Sequence, residues 1–363
     1  MPRESAAPVA LAAACAYAAF TLAALALHGW DPLWFVWIGE RYADLQPGAR
    51  TGYDGQFIYY FARDGWAAVP HMDNPAYRLQ RVLYALLARW LAGGQPAALP
   101  WAMVAINAVA IVATTFIATQ WLIAQRVRRW YGLAYPFFVG TMMAYSRDLT
   151  EPLTCALGLA GVLSWLSARR ALALVLLALA ALARETAVLF AVGLAIAELT
   201  ERRLPHAAAL AATTVPLLLW EWYLRAQLGV TGLASAHMMN LIPCANMFSN
   251  LSLEPGRLSA LLFIALPALA LAPAVVRLVV TAPRDPIAWL LAVHWAFLLF
   301  APSGAHLHVL ALSRQSAAFL LMLLLAYPRF SPVLRRAIAL GAIAPTLLWL
   351  PPVLWWAPWT AKL

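Results

Sequence analysis

Long apolar runs, broken by short arginine-bearing turns, constrain this chain more than any other feature. A helix crossing about 30 Å of hydrocarbon needs roughly 20 apolar residues. The run from Pro8 to His28 has that length, and so does Leu99 to Ala124. Further apolar runs lie at 131–145, 153–167, 171–183, 187–199, 205–224, 258–280, 287–301, 313–327 and 337–350. Of the 363 residues only 11% are charged, against about 25% in a soluble domain. The expected fold is therefore an all-α polytopic membrane protein, a single transmembrane domain over 1–363 with about 11 transmembrane helices.

Arginine placement orients these spans. The formal charge of +10 is almost wholly arginine, Lys362 being the only lysine. With the N-terminus in the cytoplasm, Arg126, Arg128, Arg129, Arg169, Arg170, Arg202, Arg203, Arg277, Arg284, Arg329, Arg335 and Arg336 all fall in cytoplasmic turns, as the positive-inside bias requires. The same clustering between apolar runs reads as orientation and lipid contact, so no nucleic-acid partner is expected. The first apolar run exceeds a signal-peptide core of 7–15 residues, which points to an uncleaved anchor. Cys15, Cys155 and Cys244 fall in separate segments without metal-ligand spacing, and neither a disulfide framework nor a zinc site follows.

Gly29 to Pro96 is too polar to span before Val82, so 29–96 is read as an outer-face loop with juxtamembrane helices. Asn74-Pro75 has the form of an N-cap followed by proline at the first helical position. The helix that starts there reaches Gly93-Gly94 as an amphipathic surface element, with Leu79, Val82, Leu83, Leu86 and Leu87 on one side and Arg78, Arg81 and Arg89 toward the other. Counting it as a span would invert every later loop and move the arginine clusters outside. The same parity places Tyr145–Pro152, Arg184–Thr186, the 226–257 loop and Pro302–Ser316 on the outer face. Helices around the first two turns are only about 20 Å long, so those turns lie below the membrane surface. Charge at that depth is tolerated where it lines protein or water. The implied feature is an outward-facing cavity, floored by Asp148, Glu151, Arg184 and Glu185 and roofed by residues 52–81. Leu182 to Val188 contains no Gly or Pro, leaving 171–199 either a hairpin or one long helix.

Asp54 lies between Gly52 and Gly55, where the backbone turns before the helical stretch Gln56–Arg63. A carboxylate there either caps that helix or takes a proton from an acceptor hydroxyl. Arg78, Arg81, Arg184 and Arg314 are the candidate phosphate holders, because guanidinium pairs bidentately with phosphate and stays charged. Arg184 has the alternative of a structural ion pair with Glu185 or Glu151, and Arg63 is a further basic candidate. Tyr53, Gln56, Tyr60, Asp148, Glu151, Glu185 and His306 are candidate acceptor-binding or supporting residues. His306 and His308 alone do not make a metal site. The loop Gly229–Gly256 is long enough to cover the cavity.

The passages GYDGQFIYYFARD and DNPAYRLQRVLYALLARWL, set in an outer loop directly after a first span, resemble the GT-C superfamily of integral membrane glycosyltransferases. In particular they look like a bacterial group linked to cell-surface glycopolymers, with a loop layout similar to that of mannosyltransferases acting on lipid-anchored glycans. The resemblance implies a bacterial inner-membrane enzyme with its site facing the periplasm. It would transfer a sugar, mannose being one candidate, from a polyprenyl-phosphate-linked donor to a lipid or glycan acceptor, with inversion. Asp54 is then the base, outer-face arginines hold the donor phosphate, and the lipid-linked sugar is a co-substrate with no other cofactor. Asp-Gly-Gln at 54–56 replaces two acids one residue apart, which disfavours a divalent cation. One alternative is a flippase or transporter of a lipid-linked sugar, which would carry corresponding polar breaks in internal repeats, and no such repeat is seen; another is a membrane acyl- or phosphotransferase, for which His306 and His308 are candidate bases with nothing near them in support.

Overall fold

The computed structural model describes residues 4–236, 239–244, 254–301 and 308–355. The described residues are helical, with no strand among them. In chain order the main helices are α1 (Ala7–Leu27), α2 (Gly55–Asp64), α3 (Pro75–Leu79), α4 (Val82–Leu91), α5 (Leu99–Ala124), α6 (Val139–Ser146), α7 (Glu151–Leu166), α8 (Arg170–Ala183) and α9 (Val188–Thr200). They continue as α10 (Leu204–Leu228), α11 (Pro255–Thr281), α12 (Pro286–Leu299), α13 (Val309–Ala326) and α14 (Pro332–Trp355).

Among the described residues six helical segments are long and apolar enough to cross a membrane: α1, α5, α10, α11, α13 with the turn that follows it, and α14. The expected eleven spans are not reproduced on length. The run at 131–145 divides into a 3-10 turn, Arg129–Ala134, and the eight-residue α6. Helices α7, α8, α9 and α12 have 16, 14, 13 and 14 residues, or about 20–24 Å each. Such helices pack side by side: α8 along α7, α7 along α5, and α9 along α12. Residues 171–199 form two helices. Arg184 is extended (φ −161°, ψ 133°) and a 3-10 turn over Glu185–Ala187 leads into α9. Charged side chains, rather than Gly or Pro, mark this break.

Between α1 and α5 the polar stretch folds into short helices over a core of its own, in which Phe57, Tyr60, Leu79, Tyr84, Met103 and Ile106 are buried. The larger core lies among the long helices, with Trp165, Tyr135, Phe190 and Tyr327 fully buried. Asn74 caps α3 as expected, its side chain accepting the Tyr77 N–H at 3.3 Å. The single helix expected over 75–92 is nonetheless broken at Gln80-Arg81, where Arg81 leaves helical geometry (φ −91°, ψ 53°). Its expected facing also fails: α4 buries Val82, Tyr84, Ala85 and Ala88, while Leu86 is 52% and Trp90 75% exposed. The reason is tertiary. Arg81 is drawn to Glu185, which fixes the rotation of the helix that follows, and the small Ala85 and Ala88 let it approach α2 and α5 closely.

Two glycines position α2. Gly52 has φ +68°, a conformation that costs glycine little. Gly55 sits against the backbone carbonyl of Arg147, in space that a β-carbon would occupy. Gln56 ties the preceding strap down, accepting the Gly39 N–H at 3.1 Å and donating to the Thr51 carbonyl at 2.6 Å.

Candidate functional site

Asp54 occupies the N-cap position of α2, yet its carboxylate makes no capping bond. It is turned toward two guanidiniums instead. Oδ1 lies 3.0 Å from Arg78 Nη1 on α3, and Oδ2 lies 2.7 Å from Arg314 Nη2 on α13. Arg78 is itself gripped by Asp73, at 2.8 Å from Nε and 2.7 Å from Nη2, and lies 4.5 Å over the Phe57 ring. Arg314 reaches Glu151 at 3.6 Å, and Glu151 holds Arg184 at 2.8 Å. Arg184 also donates from Nε to Thr186 Oγ1 at 3.2 Å. Beside this series, Arg81 donates to both oxygens of Glu185, at 3.1 and 3.0 Å, and to the Tyr77 hydroxyl at 2.9 Å.

The result is an alternating ionic series, Asp73, Arg78, Asp54, Arg314, Glu151 and Arg184, drawn from α3, α2, α13, α7 and the α8–α9 break. Exposure falls along it. The side chains of Asp54, Arg78 and Arg314 are 21%, 13% and 12% exposed, whereas those of Glu151 and Arg184 are 5% and 7%. Asp73, at 33%, is the most exposed member, so the series opens at the Asp73–Asp54 end and closes toward Glu151 and Arg184. A cavity of about 20 Å³ lies at the closed end, lined by Glu151, Thr154, Arg184, Thr186, Arg314 and Gln315 among others. Arg314 Nε and Gln315 Oε1 are buried there without a hydrogen-bond partner, and the space is about that of one water.

Electrostatics at Asp54 follow from this geometry. Burial alone would raise its pKa, but the guanidiniums of Arg78, Arg314 and Arg81 outweigh burial and hold the carboxyl well below the usual carboxylate range. An isolated buried charge is costly, and paired, hydrogen-bonded charges are the form in which such groups are retained.

Arg78 and Arg314 thus meet at Asp54, with Tyr53 beside them, its ring 5.5 Å from the Arg314 guanidinium; Glu151 and Arg184 join through Arg314, and Arg81 and Glu185 form a pair of their own. Four other candidates sit elsewhere. Gln56 is committed to the strap. Tyr60 faces the small core beside His71, its hydroxyl buried without a partner. Asp148 is fully buried with φ +46°, in a separate row that runs through Asn107 (3.5 Å) to the Tyr84 hydroxyl (2.8 Å from Asn107). Arg63 pairs with Asp64 at 2.6 Å near the surface. His306 lies outside the described residues, as do 237–238 and 245–253 of the 226–257 loop. Among the described residues no group of three or more His, Cys, Asp or Glu is placed to hold a metal ion.

Sequence reasoning missed Asp73 and Arg147. Asp73 is five residues before Arg78, a spacing with no helical meaning across the Asn74 cap. Arg147 is fully buried, its guanidinium 4.7 Å from the Trp34 ring and 4.1 Å from the Trp37 ring, with Nη1 donating to the Ser146 carbonyl at 2.6 Å. It fixes the α6–α7 turn against the strap before α2. The closely spaced tryptophans in WDPLWFVW were the only signal of it.

Comparison with protein-family models, with curated proteins and with solved structures finds no match to this chain. Two arginines on one part-exposed carboxylate can take a phosphate between them, and the carboxylate can take a proton once it is released.

Proposed function

We propose that this protein is an integral membrane glycosyltransferase that uses a polyprenyl-phosphate-linked sugar, with Asp54 as the general base. The observation that carries the reading is the placement of Arg78 and Arg314 on the two oxygens of Asp54 at the open end of a buried ionic series. Guanidiniums so placed suit the phosphate of a lipid-linked donor, and a leaving phosphate is where charge develops in the transition state. The acceptor hydroxyl loses its proton to an Asp54 oxygen as its own oxygen bonds to the anomeric carbon. The bond from that carbon to the phosphate oxygen breaks, the centre inverts, and polyprenyl phosphate leaves with its charge on Arg78 and Arg314. We place the site on the periplasmic face of a bacterial inner membrane, since arginine-rich turns lie at the opposite ends of the spans.

The test uses the purified full chain in lipid nanodiscs with a panel of polyprenyl-phosphate hexoses and a bacterial lipid extract as acceptor. Sugar transfer with release of polyprenyl phosphate is expected from the wild type and absent from Asp54→Asn, with both proteins folded. Normal turnover in Asp54→Asn removes Asp54 from the mechanism. Movement of the lipid-linked sugar across the bilayer without any transfer replaces the enzyme with a flippase.

A further inference from the structure

In the arrangement described, Asp54 is a poor base, because both of its oxygens are occupied by cations. Arg78 reaches it from α3 and Arg314 from α13, and Arg81 adds to the same field from the α3–α4 corner. The acidic groups nearby do not relieve it: Asp73 holds the far side of Arg78, and Glu151 lies behind Arg314. Tyr53 is the adjacent residue, and Arg147, from the α6–α7 turn, adds a further positive charge near Tyr53. A general base works best when its proton affinity is near the operating pH. The contacts that give the site its phosphate affinity are thus the same contacts that suppress its base.

We infer that the donor uncovers its own catalyst: the donor phosphate takes Arg78 and Arg314 away from Asp54, and only then is the carboxylate competent to accept the acceptor's proton. This rests on the glycosyltransferase reading and adds to it an order of events. The donor phosphate is a diester with one negative charge, which two guanidinium forks hold well, and farnesyl monophosphate, a monoester, presents the charge of the leaving product. The phosphate's own negative charge beside the released carboxylate then disfavours the ionised form, as adjacent like charges do. Both effects push proton affinity the same way. Before the donor arrives, Asp54 cannot activate water or an acceptor. Donor binding therefore precedes acceptor deprotonation, and the proton taken in the transfer step moves to the solvent as the phosphate product departs and the two arginines return.

The experiment is a pH titration of the purified full chain by infrared difference spectroscopy. The Asp54 signal is the protonated-carboxyl band that Asp54→Asn lacks. The probes are farnesyl monophosphate and, separately, inorganic phosphate. Without ligand the band is expected to stay absent down to about pH 3, below the ordinary aspartate range. With saturating farnesyl monophosphate its midpoint is expected to rise by at least about one pH unit, the usual size of an effect from charges this close. In Arg78→Ala the ligand-free midpoint is expected to be raised already, with a smaller further rise on adding farnesyl monophosphate. Failure of farnesyl monophosphate to bind, or binding with an unmoved midpoint, overturns the inference. An equal rise with inorganic phosphate overturns its assignment to the lipid-linked donor. Sugar transfer without the shift would remove this gate and keep the enzyme, whereas the shift without transfer from any donor would remove the enzyme and keep the gate.

Discussion

The ion pair between Arg81 and Glu185 gives the sharpest test of how the polar stretch docks on the bundle. Two parallel N–H donors reach the carboxylate at 3.1 and 3.0 Å, and the side chains are 4% and 13% exposed. An exposed pair would be worth only about 0–1 kcal/mol. At 3.0 Å and an effective dielectric constant of about 20, the direct attraction is about 5 kcal/mol, part of which desolvation cancels. Arg81→Ala and Glu185→Ala should each cost about 3–4 kcal/mol, because each leaves the opposite charge buried and alone. The double variant should cost about 4–5 kcal/mol, less than the sum, giving a coupling of about 2–3 kcal/mol. Equilibrium unfolding of the four proteins in mixed detergent micelles measures the cycle. Additivity within about 0.5 kcal/mol would show that the two groups do not depend on each other. The account of why α4 rotates as it does would then fail.

Other outcomes follow from the same contacts. Arg314→Ala should weaken binding of the polyprenyl-phosphate donor by about 10- to 100-fold, the loss of one charged hydrogen bond. Arg170→Ala should leave it unchanged, since that guanidinium stacks 4.0 Å from Trp165 at the other end of α8; equal effects on donor affinity would refute the assignment. Gly55→Ala drives a β-carbon into the Arg147 carbonyl and should destabilise the protein by about 1–3 kcal/mol; an unchanged melting temperature would show that the approach is not close. The Asp54 pairs should also leave a pH signature. A carboxyl whose folded pKa is depressed stabilises the fold above its unfolded pKa, and that contribution is lost as pH falls through the folded value. The melting-temperature difference between wild type and Asp54→Asn should therefore be constant near neutrality and shrink progressively from about pH 5 downward, as the unfolded carboxyl protonates in its ordinary range and the folded one only below it. A difference that shrinks above about pH 5 would contradict it.

Several of these features are legible in the sequence for plain reasons. α1 and α5 fall within a residue of their expected bounds, because long apolar runs end abruptly at polar residues and few conformations fit them. The Asn74 cap of α3 is local chemistry and is equally readable. The breaks at Arg81 and Arg184 are not local. Nothing in Leu79–Val82 or Ala183–Glu185 disfavours a helix, and what stops each one is an ion pair with a residue far away in the chain. For the same reason the sequence shows which charges are out of place but not their partners. Arg314 was a candidate as a cation at an outer helix end, yet its bond to Asp54 appears only when α13 is placed beside α2. Tyr60 and Gln56 lie close to Asp54 in sequence, yet the helix turns Tyr60 away while Gly39 and Thr51 take Gln56.

The bond between residue 54 and residue 314 also has a consequence for biosynthesis. A chain emerging in order presents α2 and α3 long before α13 exists. Until α13 is inserted, Asp54 can close only half of its clasp, onto Arg78, and Glu151 can hold Arg184 but not Arg314. The ionic series around Asp54 is thus completed only when α13 is in place, although Asp54 and Arg78 are made early.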